Sequence, residues 1–205
     1  EDLDAISRDD DGQVLRARDF LHTKFEQGFS ERGLTQLKER NRDFLEKFLN
    51  LKFDPRSSVI GDDPKNILDV DYGNPDVTGP RADHGTAVAG VIAAVRDNDI
   101  GINGIATHVK IMCIRSTPNG DERDKDVALA IRYAVENGAD IINMSFGKQF
   151  SPEKKFVDEA VRFAEQRNVL LVHASGNDGR NIDAEASFPS DQYLDNTEGS
   201  NWINV

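Results

Sequence analysis

The sequence predicts an α/β fold, with a parallel sheet joined by crossover helices and a helical hairpin inserted ahead of it. From about residue 83 onwards, apolar runs of strand length alternate with segments whose apolar residues recur at helical spacing, as is typical of a parallel sheet. Upstream, two helical patterns occur with no strand pattern between them. We therefore divide the chain into an acidic leader (1–12), the helical hairpin (13–54), a loop (55–82) and the α/β core (83–205).

Length and charge narrow the class of protein. The 205 residues carry a formal net charge of −12, whereas a nucleic-acid-binding surface has to be basic, so we expect no nucleic-acid partner. No apolar run approaches the ~18 residues of a membrane span, and no signal peptide opens the chain. The one cysteine, Cys113, excludes an internal disulfide. These observations predict a soluble protein with no membrane span.

Two amphipathic helices are predicted in the hairpin, from Gln13 to about Phe29 and from about Glu31 to Leu51. Their apolar stripes are formed by Val14, Ala17, Leu21 and Phe25, and by Leu34, Leu37, Phe44, Leu45, Phe48 and Leu49. The hairpin is either a lid or partner-binding arm, or a packed insertion that covers apolar surface. Because an aromatic stripe at helical spacing usually belongs to a core, we expect the packed insertion.

The loop that follows leads to a histidine at the start of a run of small residues. Glycines and prolines punctuate residues 59–80 and exclude a long regular element there. Asp83-His84-Gly85-Thr86-Ala87-Val88-Ala89-Gly90 then predicts a buried helix with His84 on its first turn, because residues this small suit close backbone packing. A histidine in this place is either a general base or a core histidine that satisfies a carbonyl.

The elements of the core follow in order. Val109 to Arg115 predicts a strand buried on both faces, in which Cys113 is an inert core thiol. The later pattern predicts a helix at 124–137 closed by Gly138, a strand at 141–144, a helix capped at 151–153 and reaching 167, a strand at 169–174 and the start of another at 202–205.

Three segments resemble, in order and rough spacing, the motifs of the subtilisin-like serine proteases. The first is the histidine segment above, with Ala87 where a second histidine is more usual. The others are Ala139-Asp140-Ile141-Ile142-Asn143-Met144-Ser145-Phe146-Gly147 and Val172-His173-Ala174-Ser175-Gly176-Asn177-Asp178-Gly179. The resemblance runs from about His84 to Val205. It implies part of a three-layer, doubly wound parallel sheet of the subtilisin type, an extended peptide or protein as substrate, and a secreted or periplasmic location.

The resemblance also implies roles for two catalytic residues. His84 is implied as the general base, and its place near a helix N-terminus disfavours its charged form. Asn177 is implied as a neutral oxyanion donor, fixed in advance and aimed at charge that appears only in the transition state. An asparagine in a left-handed turn is the alternative for Asn177.

Substrate binding is implied for Ser145, Phe146 and Gly147, which follow a central strand and would pair in β fashion with an extended peptide. Gly120, in the loop after the preceding strand, is implied on the other flank. For Phe146 the alternative is ordinary packing. Ser145 is not expected to be a nucleophile, because Asn143-x-Ser145-x-Gly147 lacks the first glycine of the esterase elbow.

Two motifs of the family are missing from these residues. The Gly-Thr-Ser motif that contains the family's nucleophile has no counterpart here. The segment most similar to the aspartate motif contains Asp62 and Asp63, but the match is poor because Pro64 follows directly. We therefore expect a fragment of a serine endopeptidase that is itself inactive. The alternative is a non-catalytic peptide-binding module with a subtilisin-like cleft.

No cofactor is expected. The resemblance leaves only a weak case for calcium at the loop 96–106, with a side-chain oxygen from Asn98 and carbonyls from Arg96, Ile100 and Ile102. A calcium ion needs six or more oxygens, and the remaining ligands of the family are not found in these residues. A glycine-rich turn is therefore the preferred interpretation of this loop.

Overall fold

The structure is a computed structural model that describes residues 12–28, 30–50, 52–79, 82–117 and 122–205. The chain divides into two units, Glu1–Phe53 and Asp54–Val205. Apart from Gly12, the predicted acidic leader lies outside the described residues. Over the described ranges, every helix is too short or too polar to span a bilayer.

The first unit contains both predicted helices. They are α1 (Gly12–Glu26) and α2 (Glu31–Asp43), and α2 continues as a π-helical turn over Phe44–Phe48. Ser30 caps α2, since its hydroxyl oxygen accepts a hydrogen bond of 3.1 Å from the amide of Gly33. That bond satisfies one of the amides that the first turn of a helix leaves without an intrahelical partner.

The apolar stripes of this unit are not buried. Among the described residues neither helix has a buried one, and Phe20 on α1 is 61% exposed, while Leu45 in the turn after α2 is 63% exposed. The helical periodicity is thus confirmed, but the expected packing of the stripes is wrong for the residues described. Periodicity places apolar side chains on one face of a helix, whereas burial also requires a partner surface.

We expect a shortened chain that starts at Asp54 to keep a cooperative unfolding transition, because α1 and α2 contribute no buried residue. Its midpoint should shift by less than about 4 °C, which corresponds to roughly 1 kcal/mol in a domain of this size. Thermal melting followed by circular dichroism measures this. As the matched control, a chain that starts at Gly61 also loses Arg56 and should be clearly less stable. Loss of the transition in the Asp54 chain would show that the hairpin is integral to the core.

The second unit contains a sheet of three parallel strands. They are β1 (Ile141–Met144), β2 (Leu170–His173) and β3 (Trp202–Asn204), and they lie in that order across the sheet. The register places Met144, the last residue of β1, beside His173, the last residue of β2. The parallel α/β class predicted from the sequence is confirmed, and the segments that follow β1 and β2 leave the sheet at the same edge.

The described part of the second unit contains three α-helices, α3 (Asp83–Ala93), α4 (Asp124–Glu136) and α5 (Lys154–Glu165), and a π-helical turn at Arg56–Ile60. The hydrophobic core joins α4 and α5 to the sheet, and its most buried members include Ala128, Ile131, Ala160, Val161, Ala164 and Leu171. Gly138 follows α4 with a φ of +82°, so the predicted glycine cap is confirmed.

The predicted strand at Val109–Arg115 is wrong for the described structure. These residues form no strand, and the apolar side chains of Val109, Ile111, Met112 and Ile114 are exposed. Cys113 is exposed as well, which corrects the expected core thiol. A strand requires a hydrogen-bonded neighbour. Among the described residues the outer edge of β1 has no such neighbour, and Ile141 on it is 61% exposed.

The burial predicted for the histidine helix is also wrong here. α3 begins at Asp83, as the sequence predicts, but it has no buried residue, and His84 is exposed. The small residues of this helix suit a close neighbour, and residues 104–106 approach its end. The amides of Ile105 and Ala106 donate hydrogen bonds of 2.9 and 2.8 Å to the carbonyls of Val91 and Ile92. A Cβ on Gly104 would collide with the backbone of Ala93 and Ala94.

A buried ion network joins the connection before α3 to the start of α4. Asp62 forms ion pairs with Arg56 and with Lys125, whose Nζ lies 2.9 Å from Asp62 Oδ2. Arg56 also binds both carboxylate oxygens of Asp126, at 2.7 and 3.0 Å. Tyr72 covers the network: its ring centroid lies 4.5 Å from Lys125 Nζ and its hydroxyl donates to Asp126. Burial opposes the charge of Arg56, but its carboxylate partners raise its pKa above the ordinary value.

Candidate active site

The ends of β1 and β2 bring two predicted binding segments together. The strands are parallel neighbours, so Ser145–Gly147 and Ala174–Asn177 leave the sheet side by side. The amide of Ala174 donates a hydrogen bond of 3.2 Å to the carbonyl of Met144, which extends the pairing just beyond the strands. The sequence motifs therefore converge on the edge of the sheet where parallel α/β proteins bind ligands.

A cleft of about 480 Å³ lies between these segments. One wall is formed by residues 145–150 and the other by residues 174–178, and the cleft is closed by Arg180, Ile182, Glu185, Ala186 and Ser187. Its size is within the range of small-molecule and side-chain pockets. Ser145, Phe146, Gly147 and Asn177, all predicted to act in one site, line this one cleft.

Asn177 is exposed at the mouth of this cleft. Gly176 before it has a φ of +95°, which lets the chain turn sharply after β2. In the part of the chain that the structure describes, the side-chain amide of Asn177 has no hydrogen-bond partner. The side chain is therefore available to donate a hydrogen bond into the cleft, and its role as oxyanion donor stays a prediction.

Ser145 lies in the same cleft but has no base beside it. Its hydroxyl oxygen accepts a hydrogen bond of 2.9 Å from the side-chain amide of Asn143. No histidine is among the described residues that line the cleft. A serine becomes a nucleophile only when a base takes its proton, so this geometry agrees with a binding role for Ser145.

His84 is not brought to the cleft within the described residues. It is the second residue of α3, exposed, and absent from the cleft lining. Asp62, the nearest imitation of a catalytic aspartate, is instead held by Arg56 and Lys125 in the buried ion network. Gly120, predicted on the other flank of the substrate, lies outside the described residues. The roles of His84 and Gly120 stay predictions.

The far side of the cleft was not predicted from the sequence. Lys148 and Phe188 form an antiparallel bridge, with amide-to-carbonyl distances of 2.9 and 2.8 Å. This bridge holds the preceding segment beside the cleft, where Ile182 and residues 185–187 line it. Arg180 at the rim is flanked by Asp178 at 3.8 Å and Glu185 at 3.5 Å. The sequence of this segment has no periodic pattern that indicates that it folds back.

The loop predicted as a weak calcium site is shaped by its own hydrogen bonds. Asn98 Oδ1 accepts from the amide of Ile100 at 3.1 Å, and Asn103 Oδ1 accepts from the amide of Asp97 at 2.9 Å. Over the described ranges, no three acidic, histidine or cysteine side chains converge as metal ligands. The contacts therefore account for a turn, and calcium binding at Asn98 stays a prediction.

Comparison with known proteins finds curated relatives, several of which are named as proteases. The Major intracellular serine protease of Bacillus subtilis (strain 168) is 38% identical over 142 residues, which is 67% of this chain and 43% of the relative. The Thermophilic serine proteinase of Bacillus sp. (strain AK1) is 34% identical over 152 residues, covering 68% of this chain and 36% of the relative. The Minor extracellular protease Epr of Bacillus subtilis (strain 168) is 40% identical over 97 residues, 47% of this chain and 15% of the relative.

The chain thus spans less than half the length of these relatives. Their names include both intracellular and extracellular proteases, so they do not assign a compartment. The family model described as Subtilase family (Peptidase_S8) matches residues 40–205, which includes all three ordered motifs. The chain therefore belongs to the subtilase family of serine proteases, peptidase family S8.

Proposed function

We propose that this chain supplies the substrate cleft, the general base and the oxyanion donor of a longer serine endopeptidase. The observation that carries the proposal is that Asn177 and Ser145–Gly147 line one cleft at the carboxyl edge of a parallel sheet. In this proposal the cleft binds an extended peptide, with Gly120 on its other flank. The nucleophilic serine and the catalytic aspartate come from sequence beyond these residues. Export from the cell is part of the proposal and rests on family resemblance alone.

The steps that we assign to this chain use its own polar groups, and the attacking serine comes from the rest of the longer protein. When the serine attacks the scissile carbonyl, His84 accepts the serine proton and later returns it to the leaving amine. The amide of Asn177 donates a hydrogen bond to the oxygen on which negative charge develops. Main-chain groups of Ser145–Gly147 hold the substrate backbone extended beside them. No cofactor takes part in the proposed steps.

We also propose that the longer protein completes a three-layer, doubly wound sheet around β1. Two observations support this: Ile141 on the outer edge of β1 is 61% exposed, and the apolar run 109–114 is exposed without being a strand. Strands of a parallel sheet are normally covered on both faces, so apolar residues of this kind indicate missing neighbours. The relatives, which are more than twice as long as the matched segment, have room to supply them.

The chain of 205 residues, as it stands, should not react with a fluorophosphonate probe, which labels activated serines covalently. The reason is that Ser145 has no histidine among the described residues that line the cleft with it. Intact-mass measurement after incubation tests this. A stoichiometric adduct that disappears in His84→Ala would contradict the prediction, and peptide mapping would then examine Ser145 first.

The same probe separates the proposal from its alternative, a peptide-binding module without catalysis. That alternative is favoured by the exposure of His84 and by the absence of His84 from the cleft lining in the described residues. Applied to the longer protein, the probe should add one label per molecule, and His84→Ala should prevent labelling. If the wild-type longer protein takes no label but still binds peptides, the non-catalytic module is the correct function.

A further inference from the structure

His173, the last residue of β2, is a buried imidazole to which neither the family motifs nor the proposed mechanism gives a role. This residue is 2% exposed, and its Nε2 makes no hydrogen bond of regular geometry among the described atoms, although the Phe146 backbone lies close enough to the ring to raise its pKa. On the other side of the ring, Nδ1 lies 3.4 Å from Asn204 Oδ1. That oxygen already accepts a hydrogen bond of 2.9 Å from Trp202 Nε1. Buried polar groups are normally hydrogen-bonded, so the contacts of this ring should explain why it is buried here.

The unpartnered side of the ring lies against the cleft wall. A Cβ built on Gly147 would lie 3.4 Å from His173 Nε2 and 3.6 Å from its Cε1. The same Cβ would lie 3.5 Å from the carbonyl oxygen of Phe188. The backbone of Gly147 is thus enclosed between the imidazole and the Phe188 carbonyl, while the Trp202 ring lies 5.5 Å from His173 on the β3 side.

We propose that His173 is a positioning residue that fixes the Gly147 wall of the cleft relative to Asn177. The ring connects three parts of the sheet: it stands on β2, it is held by Asn204 of β3, and it supports Gly147 after β1. Asn177 follows His173 by four residues, on the tight turn after β2, so the ring sets the spacing between the two walls. This inference rests on the proposed function, because the distance between the two walls of the cleft affects activity only if a peptide binds in the cleft.

The ring performs this task in its neutral form. Burial, the largest influence, lowers the pKa of His173, while Asn204, the Phe146 backbone and Asp191 act to raise it. The charged groups that line the adjacent cavity are Asp191 and Lys154, and Tyr193 lines it too. The unfolded chain, with a histidine pKa of 6.5, binds a proton more readily than the folded one. The contribution of the ring to stability is therefore complete above pH 6.5 and declines as the pH falls below it.

The test is steady-state peptide hydrolysis by the longer protein carrying His173→Ala, His173→Phe or Leu171→Ala. Leu171 is the matched control, because it is 1% exposed on the same face of β2 and is not among the residues whose atoms lie nearest to a Cβ on Gly147. We expect His173→Ala to raise KM at least about tenfold with kcat within about threefold of wild type. His173→Phe, which keeps an aromatic ring at this position, should restore KM to within about threefold of wild type. Leu171→Ala should lower stability and leave KM unchanged.

A second readout, hydrogen exchange of residues 145–150 in the same proteins, does not depend on catalysis. His173→Ala should speed exchange of the Lys148 amide, which bonds to the Phe188 carbonyl at 2.9 Å, and Leu171→Ala should not. If the wild type hydrolyses no peptide, the proposed function fails, and the exchange rates still decide the role of His173. Equal effects of His173→Ala and Leu171→Ala on KM or on exchange, or no effect of His173→Ala on either, would overturn the positioning role.

Discussion

Replacing Asn177 by alanine in the longer protein is expected to lower kcat roughly 10²–10³-fold and to leave KM nearly unchanged, the loss known for the oxyanion-hole asparagine of subtilisin, a member of this family. The physical reason is that the amide meets negative charge only in the transition state. The side chain lines the cleft and is exposed there, so its replacement removes a donor from the cleft itself.

The measurement is steady-state hydrolysis of a chromogenic peptide, with kcat and KM determined separately. Asn137→Ala is the matched control: this asparagine is also exposed, but its amide donates to the Tyr133 carbonyl at the end of α4, away from the cleft. In the Asn137→Ala control, kcat and KM should both equal the wild-type values within experimental error. A loss confined to KM in Asn177→Ala would show that the residue binds substrate and does not stabilise the oxyanion.

Replacing Asp62 by alanine is expected to cost about 3–5 kcal/mol of unfolding free energy. Asp62 neutralises Arg56 and Lys125, whose side chains are 9% and 0% exposed, and its removal leaves both cations buried with one carboxylate fewer. Urea unfolding of the chain followed by tryptophan fluorescence measures the change. The double variant Asp62→Leu with Lys125→Met should recover most of the stability, because it removes a charge together with its partner.

Asp69→Ala is the matched control for this prediction. Asp69 lies 3.7 Å from the same Lys125 ammonium, but its side chain is 32% exposed, so its loss should cost about 1 kcal/mol or less. The experiment also tests the weak resemblance of Asp62 to a catalytic aspartate. If Asp62→Ala left stability unchanged but abolished hydrolysis by the longer protein, Asp62 would be catalytic and the structural interpretation of the network would be wrong.

The sequence predicts the elements of the second unit well because their signals are local. The strand at 141–144, the helix that ends before Gly138 and the strand that ends at His173 are each marked by an apolar period and a terminating residue. The strand at 109–115 was mispredicted because its apolar content indicates burial, whereas a strand also depends on a neighbour. Pattern alone does not reveal whether that neighbour is present.

For the candidate site, as for the fold, the sequence predicts the parts that have local signals and misses those that depend on distant segments. The motifs placed Ser145–Gly147 and Asn177 together because both follow adjacent parallel strands. Residues 182–187 were missed because the bridge between Lys148 and Phe188 joins segments 40 positions apart with no periodic signal. Buried charges such as Lys125 were missed for a related reason: charged residues are almost never fully buried unless they are paired, and sequence does not show the pairing.

The open outer edge of β1 has a consequence for how this chain behaves in solution. Natural sheets carry features at their edge strands that prevent another chain from pairing there. Examples are an inward-pointing lysine, a proline or a β-bulge. Ile141, Ile142, Asn143 and Met144 include none of these, and the exposed run 109–114 offers Lys110 as its one charge. Among the described residues nothing pairs with this edge, so we expect two copies of the chain to associate edge to edge at high concentration.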